Sequence, residues 1–166
     1  MRTLILYNVA RILRKGVQND LICEQEITII VPLMVELLSA RGHQAETLQT
    51  ELDLWEQLKA RRGQFDIVLN MAEAFGGTNA NETLVPAMLE ALDMPFTGAS
   101  SHNMHLTLDK EKTKLVVKGY GIPVPGHQIF RSRTEKLERE LKFPLIVKPV
   151  REEASIGIHF NSVVTT

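Results

Sequence analysis

The chain has 166 residues, 44% hydrophobic and 23% charged, with nineteen basic against twenty acidic side chains and a net charge of -1. That length buries one good core, or one core and part of a second, and the balanced charge gives no general pull toward nucleic acid or an anionic membrane. The single Cys23 excludes an internal disulfide and suits a reducing cytosol, and no apolar run approaches the roughly 18 residues of a membrane span.

Thr3 to Tyr7 reads as a short buried strand, too short for a signal-peptide core, so the expected compartment is the cytoplasm. A polar, basic loop follows over 10–20. Ile27, Ile30, Val31, Met34, Leu37 and Leu38 recur at helical spacing and predict a helix that stops at Arg41-Gly42. Pro32 lies inside it, where it must kink the helix or face outward. Ala45 to Leu48 predicts a second strand, Leu52 to Ala60 a second helix, and Phe65 to Asn70 a third strand. A glycine-containing loop, Ala74 to Asn79, leads to a helix from about Glu82 to Leu92. Met94 to Gly98 is a short strand and turn. Alternating strands and helices with short connections predict an α/β fold with a parallel sheet. Ligands of such sheets collect beyond the carboxyl ends of the strands, here the loops beginning near Asn8, Asn70 and Gly98.

A helix from Lys110 to Tyr120 comes next. Gly121-Ile122-Pro123-Val124-Pro125-Gly126 then forms a stiff joint, since two prolines between glycines cannot continue a helix. Beyond it the pattern predicts a strand (127–130), a charged helix (133–141), an apolar strand Phe143 to Val147, and the start of another strand over 158–163. The expected division is therefore residues 1–121 and an incomplete second domain, 122–166.

The apolar run ends in Val147-Lys148-Pro149. A lysine where a buried strand runs out projects a cation from a fixed backbone, and proline stops the ladder because it has no N–H to donate. The loop Arg151-Glu152-Glu153-Ala154-Ser155-Ile156-Gly157 follows, of a kind that closes over an anion with backbone N–H groups. Taken alone, Lys148 is an ordinary solvated strand end, and Lys110 belongs to a charged helix surface. Glu24 and Glu26 sit where acids favour a helix start, and Glu73 is a loop carboxylate. The Rossmann and P-loop glycine patterns are absent, and Ser155 has no base partner that would make it a nucleophile.

The motifs gain weight in series. Glu24-Gln25-Glu26-Ile27, Met94-Pro95-Phe96-Thr97-Gly98, Leu108-Asp109-Lys110-Glu111-Lys112-Thr113-Lys114, Gly121-Ile122-Pro123-Val124-Pro125, and Phe143 to Pro149 leading into Ser155-Ile156-Gly157 resemble the D-alanine–D-alanine ligases and their relatives in the ATP-grasp superfamily, in the family's order. The resemblance implies a Rossmann-like parallel-sheet domain followed by the beginning of an ATP-grasp domain. It implies an ATP-dependent ligase of peptidoglycan synthesis that joins a carboxylate to an amine through an acyl phosphate. ATP with Mg2+, an amino-acid substrate and a homodimer come with it; nucleic acid and membrane do not. Carried over by position, Lys110 and Lys148 are the nucleotide lysines, Ser155 and Gly157 belong to the loop over the phosphates, and Glu24 positions the first substrate's ammonium group.

The chain departs from the pattern in three places. Asn70-Met71-Ala72-Glu73 stands where the family has a histidine-glycine loop, and Glu73 is a candidate for recognising the amine in its place. Glu153 and Ala154 fill two positions of a loop that is rich in glycine and serine in the family. The family's magnesium-binding carboxylates lie downstream of Thr166, so the sequence reads as an incomplete ligase, inactive alone and with detectable ATP binding expected only of the complete protein. The alternative is a non-catalytic small-ligand-binding module; a subunit completed by another chain is a third reading.

Overall fold

The computed structural model describes residues 1–9, 26–153 and 155–166. The loop expected over 10–20, Cys23 and Glu24 lie outside the described residues. The chain divides into two compact units, Met1–His105 and Leu106–Thr166.

In the first unit, β1 (Arg2–Tyr7) is flanked by β2 (Gln44–Gln49) and β3 (Ile67–Met71), in the order β2-β1-β3 with both pairings parallel. A central parallel strand is covered on both faces, so it reads as a continuous apolar run rather than an alternation. Leu4, Ile5 and Leu6 are accordingly all fully buried. The edge strand β2 is mostly polar, and only its Leu48 is buried. Beyond β3, Phe96 pairs with Val68 in parallel, through Val68 N–H to Pro95 O at 2.7 Å and Thr97 N–H to Val68 O at 2.9 Å. The parallel α/β architecture expected from the sequence is what folds.

Helix α1 (Ile27–Ala40) buries Val31 and keeps Pro32 on its exposed side, one of the two arrangements open to an internal proline. Its apolar face is less covered than its periodicity suggests, for Ile30 and Leu37 are exposed. The helix ends in a Schellman pattern: His43 N–H bonds Leu38 O, Gly42 N–H bonds Ser39 O, and Gly42 has φ +77°. Helices α2 (Leu54–Arg61) and α3 (Leu84–Ala91) each bury an i, i+4 pair, Leu54 with Leu58 and Val85 with Leu89. With Leu4, Leu6, Leu48, Val68, Phe75, Leu92 and Met94 they form the core. A short helix, α4 (Ser101–Thr107), was not foreseen; Ser101 is held by Glu90, which accepts from both its N–H and its hydroxyl.

The second unit contains α5 (Lys110–Gly119) as well as the joint at Gly121, where Ile122 N–H to Val117 O and Gly121 N–H to Lys118 O close the helix. Its only strands among the described residues are two residues each, β4 (Leu145–Ile146) antiparallel to β5 (Val163–Val164).

Three expectations fail here. No strand forms over 127–130, no helix over 133–141, and over 158–163 a 3-10 turn at Phe160–Ser162 leaves strand only from Val163. The helix offered only Leu137 and Leu141 as an apolar face, too narrow to stabilise so short an element. The side chain of Gln128 takes its backbone groups instead, donating to Lys136 O and accepting from Glu138 N–H, while Arg131 N–H donates to Glu135.

Candidate functional site

In the second unit the candidate residues gather around the junction of α5 with the segment that follows β4. Asp109 precedes the first residue of α5 in an extended conformation, and its Oδ1 accepts from the N–H groups of Glu111 and Lys112, each at 3.1 Å. This is an N-cap, satisfying amides that have no partner inside the helix. Its other oxygen, Oδ2, accepts from Arg151 Nε at 3.0 Å. Asp109 is buried, only 5% exposed. The Lys112 N–H is the main cause holding its carboxyl below the usual carboxylate range; burial acts the opposite way, and Arg151 adds to the lowering.

Lys110 stands beside it and is tied to the same segment twice. Its N–H bonds Val150 O at 3.1 Å, and its Nζ donates to Glu152 O. The structure thus brings Lys110 onto the loop that carries Ser155 and Gly157. That loop is built from two tight turns, Ile156 N–H to Glu153 O and Ile158 N–H to Ser155 O, each at 2.9 Å, with Ile156 buried beneath them. Ser155 and Gly157 both take positive φ, +62° and +73°. A Cβ on Gly157 would come within 3.1 Å of Pro149 Cγ, so the loop returns against the proline that ends the Lys148 motif. Lys148 is exposed and makes no hydrogen bond or ion pair with the described residues. Lys110, Lys148 and the N–H groups of this loop are of a kind suited to phosphate oxygens.

In the first unit, Glu73 lies just past the carboxyl end of β3. Asn8, just past β1, accepts the N–H groups of Glu73 and Ala74 with one side-chain oxygen, at 2.6 and 3.2 Å. Thr50 Oγ1 donates to Ala74 O at 3.4 Å, and Thr97 Oγ1 accepts Asn70 N–H at 3.1 Å. The three strand ends are thereby cross-linked by side chains, while the Glu73 carboxylate stays exposed and unbonded among the described residues. Glu24, the other candidate, is not among them.

Sequence reasoning named Asn8 only as the start of a loop and Arg151 only as part of one, and gave Asp109 no role. For Asp109 a signal was present, since an aspartate immediately before a predicted helix is a capping pattern. Among the described residues no group of three or more His, Cys, Asp or Glu side chains could hold a metal ion, and no helix is long and apolar enough to cross a membrane.

A D-alanine–D-alanine ligase of Marinomonas sp. (strain MWYL1) is 33% identical to this chain over 137 residues, 77% of this chain and 41% of the relative. Another, from Aquifex aeolicus (strain VF5), is 40% identical over 86 residues, 51% of this chain and 30% of the relative. The crystal structure of D-alanine–D-alanine ligase from Bacillus anthracis complexed with ATP matches with a TM-score of 0.59 at 21% identity, covering all of this chain and 50% of that one. At that identity the likeness is one of fold. No family model matches the sequence. The chain spans half or less of the length of these proteins and matches their amino-terminal part, which bears out the resemblance read from the motifs.

Proposed function

We propose that this chain, homologous to the amino-terminal part of the D-alanine–D-alanine ligases, serves an ATP-dependent carboxylate–amine ligase of that type. A carboxylate oxygen of one amino acid attacks the γ-phosphorus of ATP, and ADP leaves. The amine of a second amino acid then attacks the acyl carbon, phosphate leaves, and the amine gives up a proton as the amide forms. Lys110 and Lys148 offset phosphate charge in this reading, and the Ser155–Gly157 loop covers the phosphates. Glu24 and Glu73 receive the substrate's ammonium group. The observation that carries the reading is the tie between Lys110 and the loop: its Nζ rests on Glu152 O, within three residues of Ser155.

The fold assigned to the second unit in this proposal is the beginning of an ATP-grasp domain, in a cytoplasmic, dimeric enzyme of peptidoglycan synthesis. Mg2+ would accompany the nucleotide, yet the described residues do not make up a site for it.

The test is ADP release by the full-length protein with ATP across a panel of D- and L-amino acids. Expected is release that needs two amino acids and yields a dipeptide in proportion. ADP formation that no amino acid stimulates would sink the ligase reading. A small amino-acid-like ligand that binds without any ATP turnover would favour the binding-module alternative.

A further inference from the structure

We propose that Asp109 and Arg151 form a positioning pair that holds Lys110 in register with the loop after β4; its functional meaning rests on the ligase reading above. Three contacts join residues 109–110 to 150–152: Arg151 Nε to Asp109 Oδ2 at 3.0 Å, Lys110 N–H to Val150 O at 3.1 Å, and Lys110 Nζ to Glu152 O. Asp109 is the centre of this arrangement. One of its oxygens is spent on the first turn of α5 and the other on Arg151, so helix start and loop are referenced to a single buried carboxylate.

The geometry separates two roles. An asparagine at 109 keeps an oxygen for the helix amides, because Asn caps as well as Asp, but it removes the charge that attracts Arg151. The Arg151 side chain is mostly exposed, at 72%, so water and ions weaken the pair without abolishing it. Lys110 has a flexible four-carbon stem, and without a fixed loop its ammonium has many positions to choose from. With the pair intact it rests on the Glu152 carbonyl, from which a phosphate oxygen could draw it with little further ordering.

The experiment compares the unsubstituted protein with Asp109→Asn, Arg151→Gln, the double variant and Arg151→Lys. Two readouts are taken: the acylation rate of each lysine under limiting amine reagent, and amide exchange over 150–158. Either single loss should raise acylation of Lys110 and loop exchange roughly twofold to fivefold, the effect of an exposed pair. Acylation of Lys148, which has no partner among the described residues, and exchange within α5 should stay unchanged. The double variant should match the singles, and Arg151→Lys should restore part of the protection. Unchanged Lys110 acylation in both single variants would overturn the pair, as would additive effects in the double variant. A separate arm adds ATP to the unsubstituted full-length protein. Protection of Lys110 and Lys148 supports the nucleotide site; its absence overturns that reading, and the acylation and exchange results still decide the pair.

Discussion

The two units are held together by different physics. Among the described residues, fifteen of the seventeen buried apolar side chains lie before Leu106, and only Leu108 and Ile156 lie after it. The first unit carries eight basic and thirteen acidic residues, the second eleven basic and seven acidic. The first therefore rests on apolar burial, with strand ends tied by Asn8, Thr50 and Thr97. The second rests on caps, turns and side-chain-to-backbone bonds around Asp109, Gln128 and Arg151. A core resists single polar losses and fails when its volume is cut. A lattice of polar ties does the reverse, and ligand-binding loops in general come from the less stable parts of a fold.

The sharpest way to break this comparison is a pair of truncations. Leu6 is fully buried on the central strand, so Leu6→Ala should lose about 3 kcal/mol, the transfer term plus the cavity. Ile146 is 50% exposed on β4, and Ile146→Ala should stay within about 0.5 kcal/mol. Denaturant unfolding followed separately in each unit reads both. Equal losses at the two sites would mean that the second unit has a core of its own after all.

Next in size is Gly157→Ala. The left-handed backbone there costs an L-residue about 1 to 2 kcal/mol, and the new methyl must displace Pro149. The expected outcome is a loop over 153–158 with faster amide exchange and an unchanged melting transition in the first unit. An alanine variant whose loop exchanges as slowly as the parent would show that the strain is absorbed elsewhere.

The same division explains what could be read in advance. Strands β1 and β3 and helices α2 and α3 were legible because their buried apolar residues write themselves into the sequence, α1 was legible from a periodicity that only Val31 buries fully, and Gly42 and Gly121 marked helix ends through the backbone conformation that glycine adopts cheaply. The helix expected over 133–141 does not form because charged residues fit a helix surface and a polar-tethered loop equally well; Gln128, which decides the matter, lies outside the segment, eight and ten residues before the groups it binds. Lys110, Ser155 and Gly157 were singled out through motif order, and the contact of Lys110 with the loop is accompanied by the bond between Asp109 and Arg151, forty-two residues apart. No local pattern announces a contact of that range.

The smallest predicted effect is also the most specific to the polar unit. Asp109 is held in its charged form chiefly by the Lys112 N–H, with a lesser contribution from Arg151. Its folded-state pKa therefore lies below the unfolded value of about 3.9. The stabilisation this provides is fully present above that unfolded value and is lost as pH falls through the folded-state value, because protonation removes the charge that strengthens both the cap bonds and the bond from Arg151. A titration of the Asp109 carboxyl carbon by NMR should show a midpoint below about 3.9, and Arg151→Gln should move it only part of the way back. A midpoint that Arg151→Gln restores fully would reverse the order of causes, making the ion pair dominant over the cap. A midpoint at or above the ordinary value would mean that burial wins, and that the helix start is not what fixes this carboxylate.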